Sequence, residues 1–171
     1  NQSVRRILKV KSERQIFTSS EMQSSLRDSL QYNPIHQRLA SQIAHEAVTL
    51  VRNHGDILPL RPERYRHVVV MTPTGPLAER LAKEAFITVV SVPLIPTRQQ
   101  RRELVASTLS YGKSADLVVF AAINGYHLKM AQQVMTKLPH LPVALISLAS
   151  PYYLSQLGNV DAYVCTYSPI E

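Results

Sequence analysis

Six histidines, one cysteine and twelve carboxylates are the side chains of this 171-residue sequence best suited to holding a metal or moving a proton. His36, His45 and His54 recur every nine residues. On one unbroken helix, at about 100° per residue, the middle one faces away from the other two, and the outer pair lie about 27 Å apart. They cannot share an ion. His127 and His140 have no carboxylate or thiol at ligand spacing and read as surface histidines. Cys165 sits within an apolar, strand-like run, so it reads as a small buried hydrophobe rather than a nucleophile. No G-x-S-x-G occurs, and the carboxylates are scattered, with nothing to single out an acid–base pair. The residues by themselves therefore point to no catalytic group, no metal and no cofactor.

A nucleotide-binding sheet announces itself in its first strand-to-helix turn. Here that turn is Thr72-Pro-Thr-Gly-Pro76, which holds neither G-x-G-x-x-G nor G-x-x-x-x-G-K-[ST], and its two prolines remove amide donors that a phosphate cradle needs. What remains is position. In open parallel sheets, ligands bind beyond the carboxyl ends of the strands. Those ends carry Thr72, Asn124, Tyr126, His127, Ser150, Tyr152, Tyr153 and Tyr167, an edge rich in hydroxyl and aromatic groups. Such groups can hold a sugar or pack against a neighbouring domain. The second use is favoured, because no charged residue converges there.

The elements that position this edge follow from periodicity. His36 to Leu60 reads as a long amphipathic helix through about Arg52, closed by Asn53-His54-Gly55, with Ile57-Leu-Pro-Leu60 as a short strand or tether. Counting Val48, Leu50 and Val51, its apolar side covers about half the circumference, wider than the roughly 100° stripe of a loosely held helix. It is expected to pack along the sheet. Beyond it, five strand-like runs begin at His67, Ile87, Asp116, Val143 and Ala162, the first being the best opening strand of the sheet. Helical stretches lie between them: one after Gly75, then Arg98 to Ser110, Tyr126 to Leu138, and a short one through Leu157. The expected fold class is α/β, a three-layer sandwich: a mostly parallel, twisted sheet of about five or six strands, with right-handed crossovers and helices on both faces.

Composition narrows the function classes. The longest apolar runs fall far short of the roughly 20 residues that span a bilayer, so no membrane span is expected. The net charge of +7 is concentrated at the start, where Arg5, Arg6, Lys9, Lys11 and Arg14 face one acid, Glu13, leaving +3 for the remainder. With no aromatic residue among them for base stacking, they read as a solvated helix face rather than a nucleic-acid site. Ser3 to Ile16 forms that helix, and a Ser- and Gln-rich linker follows it. The chain, opening on Asn1, reads as a fragment of a longer protein.

Three segments, in order, resemble glycoside hydrolase family 3. LASQIAHEAVTLVRN followed by ILPL is similar to the opening of that family's second, α/β-sandwich domain. SLASPYYL, from Ser147 to Leu154, resembles its L-R-x-P-Y-D-L segment, and NVDAYVCTY resembles its x-V-D-A-x-L-x-x-Y strand. The match covers about residues 36 to 167. SVRRILKVK is similar to the closing helix of the preceding barrel, which implies residues 1–17 as that helix, 18–35 as linker and 36–171 as the sandwich domain.

The bacterial β-N-acetylhexosaminidase branch is the nearest in wording. It implies a hydrolase of terminal N-acetylhexosamine in cell-wall or related glycans, with nucleophile and acid/base in the barrel. No K-H-F-P-G occurs here, so no catalytic residue carries over and this chain alone is expected to be inactive. Ala149 stands where the family often has Arg and Tyr153 where it often has Asp, so no role of those groups carries over either. The implied partner is the barrel domain of the same polypeptide, with an amino-sugar glycan as possible ligand, and no nucleic acid. The alternative is a stand-alone carbohydrate- or partner-binding module without hydrolase activity.

Overall fold

The computed structural model describes residues 2–14 and 33–167. It divides into two compact units, Asn1–Ile43 and Ala44–Glu171. In the first, α1 (Gln2–Glu13) carries Val4, Ile7 and Leu8 exposed beside its basic side chains. The linker expected at 18–35 lies outside the described residues up to 32. From Pro34 the chain is already helical, with the Asn33 side chain accepting the Ile35 amide at 2.9 Å.

The second unit is built on a six-stranded, mostly parallel sheet flanked by helices, an α/β sandwich as expected. In chain order its strands are β1 (Thr49–Asn53), β2 (Val68–Pro73), β3 (Ile87–Val92), β4 (Leu117–Ala122), β5 (Val143–Ser147) and β6 (Ala162–Cys165). α2 (Pro34–Ala47) precedes them. α3 (Pro76–Leu81), α4 (Arg98–Gly112), α5 (Gly125–Lys137) and α6 (Tyr153–Leu157) join them. The spatial order is β1-β6-β5-β4-β2-β3, all pairs parallel except β1 with β6. Numbered among themselves, the parallel strands run 2-1-3-4-5, so strand order reverses between β2 and β4.

One expectation for the His36–Leu60 stretch, a helix through about Arg52, is corrected. The helix stops at Ala47, and Thr49 to Asn53 form an antiparallel border strand with a bulge between Leu50 and Arg52. The apolar stripe looked wide because it counted Val48, Leu50 and Val51, which are not helical. What is left in α2 is narrower, and none of it is buried: Leu39 is 54% and Ile43 58% exposed. The strand at His67, expected to open the sheet, is consequently the second in sequence, and it lies between β4 and the edge strand β3. The spacing of the three histidines changes as well, since His54 lies past β1 in a single 3-10 turn. Among the described residues no group of three His, Cys, Asp or Glu is placed to hold a metal. No described helix is long and apolar enough to cross a membrane.

Alternation along each strand sorts the core into two layers. Val69, Met71, Val118, Phe120, Leu145 and Tyr163 face one side, where Val105 of α4, Leu128 and Val134 of α5 and Leu157 of α6 meet them. Val68, Val70, Leu117, Val119, Ala144 and Ala162 face the other. There Leu81 of α3 and the segment Ile57 to Tyr65 cover them. Asn53 anchors that segment, accepting the Leu58 amide at 3.0 Å and donating to its carbonyl at 2.9 Å, and the Tyr65 hydroxyl donates to the Ile57 carbonyl at 2.9 Å. At the amino edge, Asp116 accepts the amides of Arg66 and His67 at 2.7 and 3.1 Å. Those two bonds, the His67 one foremost, hold its carboxyl below the usual range.

These layers set the expected mutational pattern. Leu145→Ala, at a fully buried position, is expected to cost about 2–5 kcal/mol. Leu39→Ala on α2 is expected to stay within about 0.5 kcal/mol. Urea unfolding of the two variants measures both.

Candidate functional site

Among the described residues, the second sheet face is left uncovered in its carboxyl half. The alternation that places Val68 and Val70 there continues to Thr72 and Thr74 on β2 and beyond it. It also continues to Ile146 and Leu148 from β5, to Val164 and Thr166 from β6, and to Ile123 past the end of β4. These side chains line a cleft of about 720 Å³. Its rim is the β2–α3 turn through Leu77, with Leu94 from the β3–α4 connection and Ala44 and Val48. Leu50, paired with Val164, extends the apolar surface and is 54% exposed. Gly75 permits the turn: its φ of 145° is one that side-chain-bearing residues rarely adopt.

The cleft adjoins the reversal of strand order between β2 and β4, where doubly wound sheets bind ligands. Among the described residues, no Asp, Glu, Lys, Arg or His lines it. Its chemistry is binding by shape and apolar contact, with hydroxyls of threonine as its polar side-chain groups. One of these is unusual. Thr72 is fully buried, and its Oγ1 is the one buried side-chain polar atom among the described residues with no hydrogen-bond partner. An unmade bond of this kind costs about 1–3 kcal/mol.

Of the eight edge residues singled out in the sequence, Thr72 lines this cleft and the other seven do not. Asn124 caps α5, its Oδ1 accepting the amides of Tyr126 at 2.9 Å and His127 at 3.3 Å, while its Nδ2 donates to the Leu94 carbonyl at 2.6 Å. His127, expected at the surface, is 3% exposed. Its Nδ1 accepts the Ile123 amide at 3.3 Å, which leaves Nε2 to donate to the Pro93 carbonyl at 3.2 Å. It is buried because the strand-to-helix turn folds its ring between two connections, and desolvation pushes its pKa below the usual value against the Pro93 bond.

Tyr153 donates to the Ile123 carbonyl at 2.9 Å. The Ser150 carbonyl accepts the Ser147 hydroxyl, and the Ser150 hydroxyl accepts the Tyr152 amide at 3.4 Å. Behind them, Tyr163 donates to the Pro151 carbonyl at 2.8 Å, and burial foremost pushes its hydroxyl up to about 12. The exposed members are Tyr126, with the Arg101 guanidinium 5.0 Å from its ring centre, Tyr152 and Tyr167. Asn124, His127, Ser150 and Tyr153 thus shape the loops, while three tyrosines face outward.

Comparison with known proteins gives one consistent direction. No family model matches the sequence. A β-N-acetylglucosaminidase/β-glucosidase of Cellulomonas fimi is 24% identical over 99% of this chain and 34% of its own length. A β-D-xylosidase of Arabidopsis thaliana is 38% identical over 48 residues, 28% of this chain and 6% of its own. The chain therefore spans about a third of the first relative and far less of the second.

Among solved structures, a glycoside hydrolase family 3 β-N-acetylglucosaminidase from Paenibacillus sp. superposes with a TM-score of 0.65 at 19% identity. That match takes in 97% of this chain and 34% of that one. The β-glucoside phosphorylase BglX matches with a TM-score of 0.61 at 19% identity, over 99% and 34% respectively.

Two outcomes are expected from this geometry. Thr72→Val removes the unpartnered hydroxyl at nearly constant volume and is expected to stabilise the chain by up to about 1 kcal/mol, read as a rise of about 2–4 °C in Tm. Because folding lowers the His127 pKa, the unfolded chain binds that proton first as pH falls. Stability from this group is complete above the unfolded value, near 6.5, and declines as pH falls from there towards the folded value. Thermal melts between pH 7.5 and 5 are expected to show this decline, and His127→Gln to make it shallower.

Over nearly its whole length the chain is similar to the C-terminal part of glycoside hydrolase family 3 enzymes, and its fold is theirs.

Proposed function

We propose that this chain is the second, α/β-sandwich domain of a β-N-acetylglucosaminidase-like family 3 hydrolase, supporting a preceding barrel domain and shaping the substrate site without supplying catalytic groups. The observation that carries this reading is the alignment over 99% of the chain with 34% of the Cellulomonas enzyme. The cleft supports it, since the described residues that line it include no acid, base or cysteine. In this reading residues 1–17 are the closing helix of the barrel, 18–35 the linker and 36–171 the sandwich. The exposed apolar side of α1 suits a helix that completes another core. The whole protein then hydrolyses terminal N-acetylhexosamine from cell-wall or related glycans.

A second reading, a self-standing carbohydrate- or partner-binding module, draws on the outward-facing Tyr126, Tyr152 and Tyr167. The purified chain is expected to release no nitrophenol from a nitrophenyl N-acetylglucosaminide above the uncatalysed rate. Release abolished by a point change within the chain would overturn the non-catalytic role. Titration with N-acetylglucosamine, followed by NMR at Tyr126 and Tyr152, separates the readings: shifts there favour the module, and silence leaves the supporting role.

A further inference from the structure

The open cleft has three properties that together specify an occupant. Its volume of about 720 Å³ falls within the roughly 300–1,000 Å³ of small-molecule sites. Its walls are aliphatic, with Leu77, Leu94, Ile123, Ile146, Leu148 and Val164 among the lining and no ionisable side chain among the described lining residues. A charged ligand would lose its hydration there without gaining a counter-ion. The third property is Thr72, buried in the lining with a hydroxyl that no group of the protein satisfies. Water is a poor remedy, because an ordered water needs two to four polar partners and the surrounding walls are apolar.

We infer that this cleft is a binding site for a small neutral amphiphile: an aliphatic or aromatic body carrying a single hydroxyl or amide, which completes the hydrogen bonding of Thr72. The apolar body displaces solvent from the walls. Its polar group meets Thr72 after a small outward shift of the side chains that seal that hydroxyl from bulk water. The site goes beyond the supporting role proposed above and does not depend on it, since every residue invoked belongs to the sheet unit.

The probes are 1-octanol, sodium octanoate and benzene, titrated into the full chain with the methyl resonances of Ile123, Ile146 and Leu148 observed. Octanol and benzene are expected to give saturable shifts confined to these methyls, and octanoate none at the same concentration. Thr72→Val is expected to weaken octanol about three- to tenfold, the worth of one hydrogen bond, and to leave benzene unchanged. Leu148→Phe, which fills the cleft from its rim, is expected to abolish the shifts from both ligands and serves if the first variant does not fold. Absent or non-saturable shifts, octanoate binding as tightly as octanol, or an octanol affinity indifferent to Thr72→Val would each overturn the inference.

Discussion

A parallel sheet whose strands are apolar on both faces must be covered twice, and this domain is organised by how unequally that requirement is met. On one face, α4, α5 and α6 close a continuous layer over Phe120, Leu145 and Tyr163. On the other, α3 and the Ile57–Tyr65 segment protect the amino half. Beyond Ala144 and Ala162 the same apolar alternation runs on into an open cleft. The loops above the first face are correspondingly tight, with Asn124, His127 and Tyr153 spending their polar groups on neighbouring backbone.

Much of this was legible in the sequence. The runs at Val68, Leu117 and Val143 are continuously apolar over most of their length, the first of them largely β-branched, and interior parallel strands have few other ways to look. β1 was hidden because Val48 to Val51 prolongs a helical stripe as readily as it forms a strand; its pairing with β6, distant in sequence, decides the matter. The carboxyl edge could be placed from strand ends alone, but not what its residues do. A histidine after an Asn-Gly turn looks exposed until the β3–α4 connection supplies the Pro93 carbonyl that buries it. The cleft left no local mark either, since Ile146 and Val164 read identically whether covered or open.

The family-like wording and the structure complement one another. Three short segments suggested glycoside hydrolase family 3, and the alignment and superpositions cover nearly the whole chain while taking in only about a third of each long relative. Thr72 is the residue that does not fit a purely structural account, because a valine there would pack as well without an unmade bond.

The antiparallel pairing of β1 with β6 has a topological consequence. Among the described residues the first strand of the sheet lies beside the last, with Thr49 opposite Cys165, so the described chain enters and leaves the sheet at the same border. A domain wired this way works as a cassette: joining its two ends through a short connector and opening the chain at another surface loop leaves every strand pairing intact, so a circular permutant is sterically feasible.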